Sequence, residues 1–178
     1  ARVQAWQDRH FSIPHEFYEC RLHPQTAELS VPWMQNETGL VTRRVEAFPA
    51  NFLEDAWGIW KRVLAHIMLN ANERAAWYAL PEQGPRRTDW LLGRVAAKDA
   101  VRQWARQQHG IVLAPADIEI RTNGQGKPLV DCPALDSVAM PEVSITHNKH
   151  AAVAVVNEAG TYIGLDVERL DRVRSSDL

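Results

Sequence analysis

The sequence predicts an α+β domain, with helices packed on a small antiparallel sheet. Two observations carry that expectation. Apolar residues recur at helical spacing from about residue 52 to residue 107, and beyond residue 117 the period falls to two. The turn-forming stretches "NGQGKP" and "NEAG" then separate the period-two runs as hairpin turns do. Strands that follow helices, rather than alternating with them, define the class.

Taken in order, residues 1–50 hold short apolar stretches broken by Pro14, Pro24 and Pro32, which predicts extended segments and turns. They are read as an extended segment distinct from the domain at 51–178, either a linker or the tail of a preceding domain. Asn51 with Glu54 forms a capping-box pattern ahead of a helix over about 52–70, whose apolar face would use Phe52, Trp57, Trp60, Leu64, Ile67 and Met68. A shorter helix, "NERAAWYAL", stops at Pro81. A long helix follows over 88–107, with Thr88 as N-cap and Gly110 as stop signal. At 100° per residue its Trp90, Gly93, Ala96, Ala97, Ala100, Val101 and Trp104 share one arc, and Arg94, Lys98, Arg102 and Arg106 line an edge of it. "DIEIRT" and "PEVSIT" read as strands, and "AAVAVV" with "TYIGLDVE" as an antiparallel hairpin.

With 178 residues, 46% apolar, the chain suits one globular domain or one plus a fragment. A net charge of −2 argues against a general affinity for nucleic acid, so any anion site is local. No apolar run reaches 18 residues, which argues against a helical membrane span. Cys20 and Cys132 stand far apart, outside any metal or redox spacing, and read as free thiols in a reducing cytoplasm. The start without Met and the polar end read as a piece of something larger.

Four local patterns could carry chemistry. Asp166 and Glu168, two apart on a strand, would share a face; like charges so close call for a cation or for one carboxyl to stay protonated, and paired carboxylates suit Mg²⁺. The alternative is an ordinary solvent-facing strand edge. In "NGQGKP", backbone N–H groups of a glycine turn with Gly126 and Lys127 could hold an anion, with Pro128 fixing the lysine; equally it is only a turn. In "SITHNKH", His147 with Lys149 could meet a phosphate, or His147 could simply be a surface residue. The basic edge of the long helix, with Arg86 and Arg87 at its start, could face the same anion or only solvent.

Together and in this order, Gly126-Lys127-Pro128, Ser144-Ile145-Thr146-His147 and Gly164-Leu165-Asp166-Val167-Glu168 resemble the motifs of the 4′-phosphopantetheinyl transferase superfamily, in particular its larger type of two fused halves. The resemblance covers about residues 70–170. It implies one half of that pseudo-dimeric fold. It also implies Mg²⁺-dependent transfer of the phosphopantetheine arm from coenzyme A to a serine of an acyl carrier protein, with release of 3′,5′-ADP. Asp166 and Glu168 would be the metal ligands. Arg86, Arg94, Lys98, Gly126, Lys127, Pro128, Thr146 and His147 would line the coenzyme A site.

The chain departs from the pattern at Thr146, at Asn148 and at Asp89, which stands where the family has an arginine. The W-x-x-K-E-[AS] helix of the family's second half, with the glutamate that is the candidate base, is not recognised after residue 168; "AAKDA" looks like it but precedes the turn. The chain therefore reads as a first half whose catalytic glutamate lies elsewhere. More weakly, "WQDRHFSIPHEFYECRLHPQTAELS" resembles the closing part of a dehydratase-like region, which implies other domains of a polyketide synthase as partners, as in the enediyne type. The competing function is a non-catalytic docking module of such a synthase.

Overall fold

The computed structural model describes residues 26–28, 41–46, 53, 57–147 and 151–166. Its elements run β1 (Thr26–Glu28), β2 (Val41–Glu46), α1 (Ile59–Met68), α2 (Ala71–Ala79), α3 (Arg86–His109), β3 (Glu119–Thr122), β4 (Pro128–Asp131), β5 (Glu142–His147) and β6 (Ala151–Asn157). Two one-turn 3₁₀ segments, Pro115–Asp117 and Pro133–Leu135, flank the β3–β4 hairpin. The α+β class holds, with α3 packed against β6, β2 and β5.

The main sheet is antiparallel in the order β1-β2-β6-β5, and β3 and β4 form a separate hairpin beside β5. Strands β1 and β2, from the stretch read as preceding the domain, thus belong to the same sheet as β5 and β6. Strand alternation explains the packing. Ala152, Ala154 and Val156 of β6 share a face with Val143, Ile145 and His147 of β5, because these residues pair across the ladder. That face meets α3, which presents Ala96, Ala97 and Ala100, all fully buried. Small side chains on both surfaces let helix and sheet approach closely. Leu91, Leu92, Val95, Val101 and Trp104 complete the core.

Helix α3 begins at Arg86, earlier than expected: Pro85 occupies the N-cap, so Thr88 lies inside the helix. It ends as expected at Gly110, whose φ of 67° suits glycine, with Gly110 N–H donating to Arg106 O and Ile111 N–H to Ala105 O. Helix α1 starts later than expected, after Gly58 at φ 60°. Its expected capping pair Asn51–Glu54 lies outside the described residues. Trp57 and Trp60, assigned to the buried face, are 78% and 46% exposed. The capping box falls instead at α2, where Glu73 N–H donates to Asn70 Oδ1 (2.9 Å) and Asn70 N–H to Glu73 Oε2 (3.2 Å).

Two strand assignments change. "PLVD", not expected as a strand, forms β4, with Pro128 as its first residue, a position that tolerates the missing N–H. Residues 161–166, expected to pair with "AAVAVV", form no strand, because β6 already has β2 and β5 on its two edges. No helix among the described residues is long and apolar enough to cross a membrane.

Candidate active site

Of the candidate residues, Arg94 and His147 lie where the first half of α3 meets the end of β5, and Arg94 reaches the end of β3. Gly93 makes this junction possible. A Cβ there would lie 3.3 Å from Ile145 Cγ2 and 3.7 Å from His147 Cδ2, so the absent side chain lets β5 lie close against the helix. His147 is exposed at the strand end, beside that helix glycine.

Arg94, the next residue, sits between α3 and β3. Its guanidinium carbon lies 3.8 Å from the centroid of the Trp90 ring, one turn earlier, and Nη2 approaches Thr122 Oγ1 at 3.5 Å, the outer limit of a hydrogen bond. Its Nε is buried without a hydrogen-bond partner, and among the described residues no carboxylate forms an ion pair with it. Burial pushes its pKa down to about 10, with the Glu73 charge acting the other way. Among the described residues Arg94 is therefore a desolvated cation with no matching anion, the electrostatic condition of an anion site.

Lys98, expected beside it as a second phosphate contact, has a different job. Its side chain is fully buried, and its ammonium donates to Glu73 Oε2, Met68 O (2.8 Å) and Pro115 O (3.1 Å), which uses all three protons. Burial lowers its pKa, and Glu73 acts against that shift. The helical wheel placed Lys98 on an open edge; α1, α2 and the Pro115 turn cover that edge. Arg102, further along, is also buried, donating to Leu113 O and Asp99 Oδ1. Asp99, of "AAKDA", is thus engaged within the helix itself. Glu73 was not singled out in the sequence; its only local signal was the spacing from Asn70.

The turn does not offer the expected cradle of N–H groups. Asn123 Oδ1 accepts from Gln125 N–H and Lys127 N–H, both at 2.9 Å, and Asn123 O accepts from Gly126 N–H at 3.0 Å. This side-chain-mimicked turn consumes the donors on three of its residues. Gly126 is needed there for its φ of 86°. Lys127 leaves the turn to pair with Glu142 Oε2 at 2.5 Å, half exposed.

Alternation along β5 separates two expected neighbours. His147 shares the α3 face with Ile145, whereas Thr146 leaves on the opposite face with Ser144 and Glu142. Arg86 is exposed at the first turn of α3, two turns before Arg94. Arg87 is committed: it donates to Tyr78 O and Leu80 O and lies over the Trp77 ring. Asp166 is exposed, and Glu168 lies outside the described residues. Among the described residues no three His, Cys, Asp or Glu side chains gather as a metal site. Asp166 contributes one carboxylate, a donor type that suits a hard dication.

An alanine-rich helix thus lies over an antiparallel sheet, with a glycine junction and a G-K-P turn near the candidate residues. No family model matches the chain. The holo-[acyl-carrier-protein] synthase of Bacillus subtilis is 39% identical over 92 residues, which are 52% of this chain and 74% of that one. The enzyme of the same name from Shouchella clausii is 42% identical over 71 residues, 40% of this chain and 59% of that one. In structure, the holo-(acyl-carrier-protein) synthase of Bacillus anthracis, solved in complex with CoA (3′,5′-ADP), superposes with a TM-score of 0.50 at 26% identity over 68% of this chain and 96% of that one. The Helicobacter pylori synthase, with a TM-score of 0.50 at 21% identity over 66% of this chain and 97% of that one, shares the fold. The chain belongs to the holo-[acyl-carrier-protein] synthase family, within the phosphopantetheinyl transferase superfamily.

Proposed function

We propose that the chain transfers the 4′-phosphopantetheine arm of coenzyme A to a serine of an acyl carrier protein. The serine oxygen forms a bond to the phosphorus bearing the pantetheine. The bond from that phosphorus to the bridging oxygen breaks, and 3′,5′-ADP leaves with the electron pair. Such a reaction needs positioning and charge neutralisation more than covalent catalysis. The observation that supports the reading most is Arg94, a guanidinium without an ion pair among the described residues, one residue from the Gly93–His147 junction. Arg94 would bind a phosphate of coenzyme A, with His147 a second donor and Arg86 adding charge at the rim. Asp166 and Glu168 would hold Mg²⁺, which when bound offsets pyrophosphate charge. The proton of the attacking serine needs a base; the expected glutamate is not assigned to a residue of this chain.

A second reading is favoured by the internal use of Lys98 and Lys127: a docking module of a polyketide synthase that binds neighbours and catalyses nothing. The weak resemblance of residues 6–30 to a dehydratase-like region supports that setting for either reading. The test is mass spectrometry of an apo-carrier protein after incubation with the chain, coenzyme A and Mg²⁺. Transfer adds one phosphopantetheine, and Asp166→Ala or EDTA abolishes it. A carrier that stays apo while coenzyme A binds would reject the transferase in favour of the docking module.

A further inference from the structure

We infer that Trp90 is a positioning residue, holding the Arg94 guanidinium at the anion site. This rests on the proposed role of Arg94 toward coenzyme A. Trp90 and Arg94 stand four apart on α3, the spacing that brings side chains together one turn apart, and the guanidinium carbon lies 3.8 Å from the ring centroid. That distance is direct face contact. An arginine side chain has several rotatable bonds, and the usual way to fix one is an ion pair with a carboxylate. Such a pair would also neutralise the charge that an anion site needs. A ring avoids the conflict: it orients the plane and stabilises the cation while leaving the N–H edge free for oxygen acceptors.

The surroundings give Arg94 little other support. Its one hydrogen bond among the described residues, to Thr122, is long at 3.5 Å. Lys98, the next cation along the helix edge, is held by Glu73 and two carbonyl oxygens instead. Trp90 itself is half-buried and packs against the core at one edge, so it forms a fixed platform. Two neighbouring cations are thus immobilised by different means: Lys98 by a carboxylate, as a structural tie, and Arg94 by an aromatic face, as a charge kept available.

The test compares the full chain with Trp90→Leu, Trp90→Phe, Arg94→Gln and the Trp90→Leu/Arg94→Gln double variant. The readouts are coenzyme A binding by calorimetry, KM and kcat in carrier loading, and urea midpoints to establish folding. Trp90→Leu keeps apolar volume but has no ring. It is expected to weaken coenzyme A binding and raise its KM by about three- to tenfold, with kcat within about twofold. Trp90→Phe recovers most of the loss. In the Arg94→Gln background Trp90→Leu has no further effect. An unchanged coenzyme A affinity in Trp90→Leu, or an equal loss with and without Arg94, would overturn the inference. If Arg94→Gln itself leaves coenzyme A binding unchanged, or the unaltered chain does not bind it, the reading of Arg94 fails and the role of Trp90 with it.

Discussion

Replacing Glu73 by glutamine strips the buried Lys98 ammonium of its anion while nearly preserving shape. Glu73 accepts from Lys98, from Ile120 N–H (3.0 Å) and from Asn70 N–H (3.2 Å), so one carboxylate ties α2, α3 and β3 together. Glutamine can keep one of the backbone bonds but not the charge. Breaking a buried pair on one side costs about 3–5 kcal/mol. An independent bound agrees. The chain can escape by deprotonating Lys98, and neutralising a lysine of ordinary pKa at pH 7 costs roughly 4.6 kcal/mol. For a chain of 178 residues that is a fall in Tm of roughly 6–20 °C. The bound also fixes the pH dependence. In the variant the folded pKa of Lys98 lies far below its unfolded value, so between the two the unfolded state binds more protons and stability rises with pH. The deficit relative to the unaltered chain should therefore shrink between pH 7 and pH 9, by at most about 1.4 kcal/mol per unit. Urea unfolding at both pH values, with an unchanged m, measures it. Glu73→Gln/Lys98→Met, which removes both charges, should recover much of the loss. A deficit under about 1 kcal/mol at pH 7, or one that does not shrink toward pH 9, would refute the assignment of Lys98 as a structural cation.

Two further predictions concern the site. Glu142→Gln releases Lys127 from a half-exposed pair, so it should alter stability by less than about 1 kcal/mol, while Lys127→Ala, if the released ammonium serves coenzyme A, raises the coenzyme A KM more strongly in the Glu142→Gln background than in the unaltered chain; steady-state loading assays decide. Because the Arg94 pKa stands at about 10, its charge persists across neutral pH. Arg94→Gln should then weaken coenzyme A binding by the same factor at pH 6.5 and pH 8.5, and calorimetry showing a factor that changes severalfold between them would contradict that.

Much of the scaffold was legible because its signals are local. Gly110 stops α3 through its own backbone freedom, and "NGQGKP" turns because Gly126 and Asn123 supply what a turn needs. Elements failed where a distant partner decides. The stretch "TYIGLDVE" alternates like a strand, but both edges of β6 are already paired. Trp57 and Trp60 look like core by type, yet the fold leaves them exposed.

The same division runs through the site. Sequence presents its basic residues as interchangeable phosphate ligands, because a lysine or arginine looks the same whether or not it has been neutralised. Folding distinguishes them. Lys98 goes to Glu73, 25 positions away; Arg87 goes to Glu82 and to the carbonyls that end α2; Lys127 goes to Glu142. Each commitment joins elements whose separation along the chain gives no pattern to read. Arg94 is held by a ring and, among the described residues, by no carboxylate, which under the proposed function leaves its charge for coenzyme A. Among these buried and half-buried cations, the position of a motif matters less than the partner the fold supplies, and the proposed anion site lies where the described partner is not itself an anion.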